Sequence, residues 1–385
     1  MVIGNDTIRY HYVSAEENAA EQPEQPQKRT VIQRIFDYFD RSAVDKTFEK
    51  KMDFTFVAGP SYSSKTSLSI GLLAAGLYRT NRRDSLASPS NVSIFGNVSI
   101  SGYYYVGVSG NTFFRHNRHR LDYELGFRSQ PTDFWGLGYD AAISNRATGY
   151  TAKKYLVDIK YKYAVVRNIY IGLTAGFNYS GAKNLNATGT GYLDGQRDQY
   201  TATGLGTFFE YDSRDIVTQP FKGWYVGLHG MIFPKALGNC SNTLWRVTLT
   251  ADYYQPLWTG AVLALDFYGE VNSAATPWTM YAALGGNWRM RGYYEGRFND
   301  RNMVTAQVEL RQRLYRRIGG VVWGGAGNVF HSFREFDWSH TLPNYGVGLR
   351  WELKKRMNIR FDYGFGRKAG GKLISGFIMS INEAF

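Results

Sequence analysis

The chain has 385 residues, 45 Lys and Arg against 32 Asp and Glu, a formal charge of +13, and an aromatic content of 16%. Its mean hydropathy is −0.36, and its longest nearly apolar run, residues 70–78, is far short of the roughly 18 that a membrane-spanning helix requires, so a helical membrane protein is excluded. One cysteine, Cys240, rules out a disulfide scaffold and reads as a loop residue.

In chain order, residues 1–50 stand apart as an N-terminal extension on the periplasmic side. The start lacks a basic segment followed by an apolar core, so the sequence reads as a mature form without a signal peptide. Residues 14–29 are rich in Glu, Gln and Pro and cannot bury enough apolar surface to fold alone. Thr30 then caps a short amphipathic helix over about residues 30–41, with Val31, Ile32, Ile35, Phe36 and Phe39 on one face. That helix is expected to tether against the following domain, to plug it from the periplasmic side or to lie on the membrane surface.

From residue 51 to 385 the hydrophobic period is two. Tyr155, Val157, Ile159, Tyr161 and Tyr163 alternate with Asp158, Lys160 and Lys162, and Ile359, Phe361, Tyr363 and Phe365 alternate with Arg360 and Asp362. A soluble sandwich would show the same alternation. Strand number and length decide the matter: about sixteen segments begin near residues 52, 66, 91, 103, 119, 150, 168, 200, 223, 243, 260, 302, 319, 342, 357 and 373. Most are long enough to cross a bilayer at a tilt, which soluble strands seldom are. The fold class is therefore all-β, an antiparallel transmembrane barrel of about 16 strands, in the outer membrane of a Gram-negative bacterium. Short links at residues 166–168, 258–260 and 355–356 suit periplasmic turns, and residues 129–149, 181–199 and 272–301 suit extracellular loops, although the periplasmic turns at 79–90 and 212–222 are long. Scattered basic side chains beside acidic ones fit a charged lumen and anionic outer-membrane lipids, lipopolysaccharide among them, better than nucleic acid. The chain ends on a strand whose face carries Leu373, Phe377, Met379, Ile381 and Phe385. Outer-membrane barrels commonly end so, and Phe377, Met379, Ile381 and Phe385 are expected to form the signal that assembly machinery reads.

The run Gly285-Gly286-Asn287-Trp288-Arg289-Met290-Arg291-Gly292-Tyr293 lies between the eleventh and twelfth expected strands. Arg291, Gly292 and Tyr293 resemble the Arg-Gly-Phe/Tyr signature of the Omp85 superfamily of outer-membrane assembly and translocation proteins, which sits in the sixth extracellular loop of a sixteen-stranded barrel. The resemblance implies that this loop folds into the lumen and that Arg291 meets an acidic residue on the inner wall. Asp212, Arg214 and Asp215, followed by Pro220 and Gly223, are similar to the family's turn after the eighth strand, where turn chemistry alone accounts for the Asp, Pro and Gly. The chain also departs from the pattern. Family members usually carry periplasmic receptor domains, the POTRA domains, which the first fifty residues are too few and too polar to form. Gly325 stands where the family tends to place Asp, in the run Trp323-Gly324-Gly325. The acidic partner of Arg291 is then expected to be Glu309 alone, in the run Val308-Glu309-Leu310-Arg311.

Nothing in the sequence points to catalysis. It has no nucleophile elbow, no zinc-ligand spacing and no phosphate-binding glycine loop. His116 and His119 read as part of a solvated basic turn, and no cofactor or metal is expected. The resemblance implies a role in outer-membrane biogenesis, inserting or exporting protein or lipid or supporting an assembly complex, with assembly machinery and client proteins as partners and a seam between the first and last strands that is able to open. The alternative is a passive porin with a charged lumen; a lipid-modifying enzyme would lack both nucleophile and base.

Overall fold

A computed structural model describes residue 30 and residues 47–385, apart from 64, 82, 85–87, 218, 355–356, 368–371 and 382. The helix expected over about 30–41 lies outside the described residues but for Thr30. The strands are β1 (Asp53–Ser63), β2 (Ser67–Tyr78), β3 (Ser90–Ser99), β4 (Tyr104–Phe114), β5 (His119–Phe134), β6 (Thr148–Val166), β7 (Ile169–Lys183), β8 (Gln199–Asp212), β9 (Gly223–Phe233), β10 (Leu244–Pro256), β11 (Ala261–Asn272), β12 (Ala282–Ala283), β13 (Asn299–Asp300), β14 (Asn302–Tyr315), β15 (Ile318–Phe330), β16 (Leu342–Lys354), β17 (Met357–Arg367) and β18 (Leu373–Ile381). Among the described residues two short α-helices, α1 (Gly138–Ser144) and α2 (Ala187–Gly191), sit in loops.

Sixteen of these strands close into one antiparallel barrel, each beside its sequence neighbour, with β1 meeting β18; the two-residue strands β12 and β13 pair separately. Closure gives every barrel strand a neighbour on each side, the arrangement a lipid environment favours because no water is there to satisfy a bare edge. The alternation sorts side chains as expected. Phe54, Phe56, Leu72, Ile94, Leu173, Leu205 and Val347 project outward and are exposed, whereas Glu210, Asp266, Glu309, Arg350, Arg360 and Asp362 are buried inside. The apolar band faces the bilayer, and the charges face the lumen.

Strands β5 to β8 rise above that band. Thr132 pairs with Tyr150 and Phe134 with Thr148, so the two strands run into what the sequence marks as loop 129–149. Polar and small residues there blur the period-two signal without breaking the ladder. The other end of the barrel carries the tight turns, with bulges near Tyr315, Val166 and Lys354 that end the pairing. His116 and His119 lie at one such turn, His116 Nε2 3.6 Å from Asp84 and His119 Nδ1 2.6 Å from the Tyr161 hydroxyl. Cys240 is buried in the loop between β9 and β10, packed near Phe233 and Leu244.

Candidate functional site: the loop folded into the lumen

The connection from β11 to β14 turns inward. At its stem Ala282 pairs with Asp300 and Ala283 with Asn299, closing β12 on β13. Leu284, Met290, Tyr293 and Phe298 are buried in one apolar cluster with Val329 and Leu342 of the wall and Ala142 of α1. Burying an aliphatic or aromatic side chain is worth roughly 1.5–3 kcal/mol, so this cluster anchors the loop before any charge is considered. The reversals use glycine where no other residue fits: Gly285 has φ +101°, and a Cβ there would lie 2.8 Å from the Tyr293 carbonyl oxygen.

Arg291, Gly292 and Tyr293 each grip the wall differently. The Arg291 side chain is fully buried. It donates to Glu309 Oε2 on β14 at 2.5 Å and to Asp362 Oδ2 on β17 at 2.8 Å, and its guanidinium stacks 3.7 Å from the Trp323 ring centroid on β15. Asn344 on β16 accepts from the Trp323 indole N–H at 3.1 Å and donates to the Arg291 carbonyl, so one side chain fixes both layers of the stack. Gly292 has φ +103°, and a Cβ there would meet the Gly364 carbonyl carbon at 2.6 Å. The loop backbone therefore lies directly on β17. Tyr293 donates to the Pro343 carbonyl at 2.7 Å and accepts from the Arg367 N–H at 2.8 Å. Burial pushes its hydroxyl up to about 12, which keeps it a neutral donor.

The expectation that Glu309 alone holds Arg291 is corrected. Gly325 has no room for an acid, since a Cβ there would sit 2.6 Å from the Ala306 carbonyl oxygen. The second carboxylate comes instead from Asp362, across the lumen wall from Glu309. A network extends from these two acids. Arg311 Nε donates to Glu309 at 2.8 Å, Arg350 donates to Asp362 at 2.6 Å and to Glu383 at 2.7 Å, and Arg360 stands 3.4 Å from Asp362. Four guanidinium groups thus share three side-chain carboxylates. A separate contact holds the loop's other flank: Arg289 forms a two-nitrogen grip on Asp266 of β11, at 2.8 Å and 3.1 Å, and lies 4.3 Å from the Tyr268 ring centroid. Asp362, Arg350, Arg360, Glu383, Arg289 and Asp266 were not foreseen as partners, although alternation had already marked Arg360 and Asp362 as lumen-facing.

Glu295, further along the loop, reaches the turn between β1 and β2, where it lies 3.4 Å from Lys65. The Lys65 ammonium holds the Glu295 carboxyl below the usual carboxylate range.

The turn after β8 is a closed unit. Arg214 grips Asp212 through two nitrogens, at 2.9 Å and 2.8 Å, and lies 4.5 Å from the Tyr225 ring centroid. Asp215 accepts from the N–H groups of Phe221 and Lys222 at 2.9 Å and 3.3 Å. Pro220 is buried beside them, and Gly223, with φ +111°, approaches the Ser213 carbonyl. These residues build the turn and do not meet the loop. At the C-terminal strand, Phe377 is exposed on the outer face 5.7 Å from the Tyr62 ring centroid, and Met379 pairs with Tyr62. Ile381 ends β18, and its side chain lies outside the described residues. Phe385 does not share that outer face. It lies past the strand, its carbonyl accepts from Arg311 at 2.8 Å, and its ring stacks 5.3 Å from that guanidinium. A charge facing the lumen has drawn the aromatic in.

The seam differs from the rest of the wall. Among the described residues β1 and β18 pair at a single register position, Tyr62 opposite Met379. β17 and β18 by contrast pair continuously, from Arg367–Leu373 to Ile359–Ile381.

Residues 94–385 match the model of the Omp85 superfamily domain. None of the curated proteins matches the chain in sequence. Among solved structures, the fold is similar to BamA from Haemophilus ducreyi lacking POTRA domains 1-3, at a TM-score of 0.59 and 15% identity over 86% of this chain and 70% of that one. It is also similar to CdiB from Acinetobacter baumannii (TM-score 0.55, 12% identity, 86% of this chain and 60% of that one) and CdiB from Escherichia coli (TM-score 0.54, 13% identity, 86% and 63%). The chain thus spans somewhat less than two thirds of either CdiB chain.

Proposed function

Given that the chain belongs to the Omp85 superfamily and is an outer-membrane β-barrel, we propose that it acts in outer-membrane biogenesis, inserting or exporting protein or lipid or supporting an assembly complex, without a catalytic centre of its own. The thinly paired seam is the observation that carries this reading. Its unpaired backbone groups would template an incoming strand by β-augmentation, and the partner is then a client polypeptide in an extended conformation. A passive porin fits less well, because the lumen holds a loop fastened through Arg289, Arg291 and Tyr293.

The test locks the seam. Tyr62 and Met379 are register partners, and facing residues of an antiparallel pair lie within disulfide reach. A variant combining Tyr62→Cys with Met379→Cys is oxidised and reconstituted in vesicles, and the folding of a urea-unfolded outer-membrane barrel is followed by its gel shift. The unlocked protein should accelerate folding, the oxidised variant should not, and reductant should restore the activity. Equal acceleration by the oxidised variant would remove the seam from the mechanism.

A further inference from the structure

The lumen carries a second charged feature that the loop contacts leave unexplained. Arg128 on β5 stands directly opposite Lys154 on β6, and both belong to the lumen-facing set, since their neighbours Phe127 and Tyr155 pair as aromatic rings on the outer face. Like charges placed opposite each other across a ladder are destabilising. Among the described residues neither the Arg128 guanidinium nor the Lys154 ammonium has a hydrogen-bond or ion-pair partner. The row of register partners through them reads Tyr105, Arg128, Lys154, Ser180 and Tyr200, without an acid. Along the same two strands the next lumen-facing carboxylates are Glu124 and Asp158, four residues away, about 13 Å at the strand rise.

The same two strands show how such a pair is ordinarily resolved. Arg120 opposes Lys162, but there Asp122 accepts from Arg120 and lies 3.2 Å from Lys162, and Glu210 takes Lys162 at 2.6 Å. The cavity at the upper pair holds two acids, Glu295, which lies 3.4 Å from Lys65, and Asp133, against four cations, Lys65, Arg128, Lys153 and Lys154, so two positive charges are left over. A cavity of about 180 Å³ opens against the upper pair, lined also by Ser180 and Thr279. The Thr279 hydroxyl is buried without a partner.

We propose that this cavity binds a phosphate dianion, free or as the phosphomonoester of a sugar headgroup, between Arg128 and Lys154. Arg offers the fork that matches phosphate oxygens and Lys a point charge. A phosphomonoester carries close to two charges at neutral pH, which balances the two unpaired cations. The Thr279 hydroxyl supplies a neutral donor, the Ser180 hydroxyl being committed to Asn178 at 2.9 Å, and the Lys65–Glu295 pair closes one side without adding net charge.

Calorimetric titration of the full chain in detergent, in chloride buffer, with inorganic phosphate and separately with glucose 6-phosphate tests this. At least one probe should bind saturably at one site; tighter binding of glucose 6-phosphate identifies a sugar headgroup as the source, and tighter binding of phosphate the free ion. Arg128→Gln and Lys154→Gln should each weaken binding at least about tenfold, the scale of one charge-assisted hydrogen bond. Lys160→Gln, whose lysine pairs with Asp158 at 3.6 Å, should leave it unchanged. Without ligand, each of the two site variants should melt no lower than the parent, since each removes a like-charge contact; this reads folding separately from binding. Absence of saturable binding by either probe, or binding indifferent to both substitutions, would overturn the site and leave the pair solvated by lumenal water alone.

Discussion

If the loop is held by buried charge, then unpairing Arg291 should release it while the barrel persists. The Arg291 side chain has no exposed surface and engages two carboxylates, at 2.5 Å and 2.8 Å. Removing one partner of a buried pair typically costs about 3–5 kcal/mol. For Arg291→Ala the lower end applies, because Glu309 keeps Arg311 at 2.8 Å and Asp362 keeps Arg350 at 2.6 Å. A loss of about 3 kcal/mol raises the undocked population roughly 100-fold. The acids behave differently. Either Glu309→Gln or Asp362→Asn leaves Arg291 one carboxylate, at a cost near that of one charged hydrogen bond, about 1.5–3 kcal/mol. The double variant leaves four guanidinium groups facing Glu383 alone, so its cost should exceed the sum of the single costs by a coupling on the order of 1 kcal/mol.

Trypsin reads this directly. Arg289 and Arg297 remain cleavable loop sites in every variant, and cutting of a transiently opened segment tracks the open population when reclosing is fast. Cleavage of the folded protein in detergent should be slow for the parent, faster for either acid variant, and fastest for Arg291→Ala and the double variant. The gel shift between folded and boiled forms confirms that the barrel is intact. Equal cleavage of the parent and the double variant would show that the apolar cluster around Met290 and Phe298, not the charges, holds the loop.

Gly292→Ala should also undock the loop, at about 1–3 kcal/mol for the forced backbone conformation alone, with the 2.6 Å approach to Gly364 added. Gly286→Ala, whose new Cβ would meet only the flexible Glu295 side chain at 3.3 Å, should be cleaved more slowly than Gly292→Ala. The Glu295 carboxyl titrates below its unfolded value because of Lys65, so its contribution is present above about pH 4.3 and is lost as the pH falls through the lower folded value. The melting difference between the parent and Glu295→Gln should accordingly shrink on acidification below that point; a difference constant down to pH 3 would mean that the charge of Glu295 is not what matters.

The strands were legible because a barrel repeats one simple rule. Each begins within two residues of where alternation places it, the largest gap being Thr148 against 150. The Arg291–Glu309 contact was legible because a local motif named one partner and the strand count set the other. Asp362 was not, since it reaches Arg291 from β17 only after the wall has curved closed, and nothing in its neighbours announces that. Phe385 was misplaced for a related reason. Periodicity carried it outward, but β18 ends at Ile381, and beyond the strand the ring follows the cation on Arg311.

These contacts divide the loop's attachments unequally around the barrel. Arg289, itself partly exposed, fastens it to the buried Asp266 of β11, and Arg291, Gly292 and Tyr293 fasten it to β14 through β17 by buried side chains or backbone contact. Toward β1 and β2 the polar contact of the loop among the described residues is Glu295 to Lys65, at 3.4 Å, with the Glu295 side chain 42% exposed. A partly exposed pair of this kind contributes about 0–1 kcal/mol, far less than the buried network. The proposed opening between β1 and β18 would therefore separate the weakly attached side from a braced wall, and the Arg291 network would stay intact. On that account, variants at Lys65 or Glu295 should change the ease of seam opening and leave cleavage near Arg291 unaltered. Arg291→Ala should do the reverse in the Tyr62→Cys, Met379→Cys background, exposing the loop to trypsin even while the disulfide holds the seam shut.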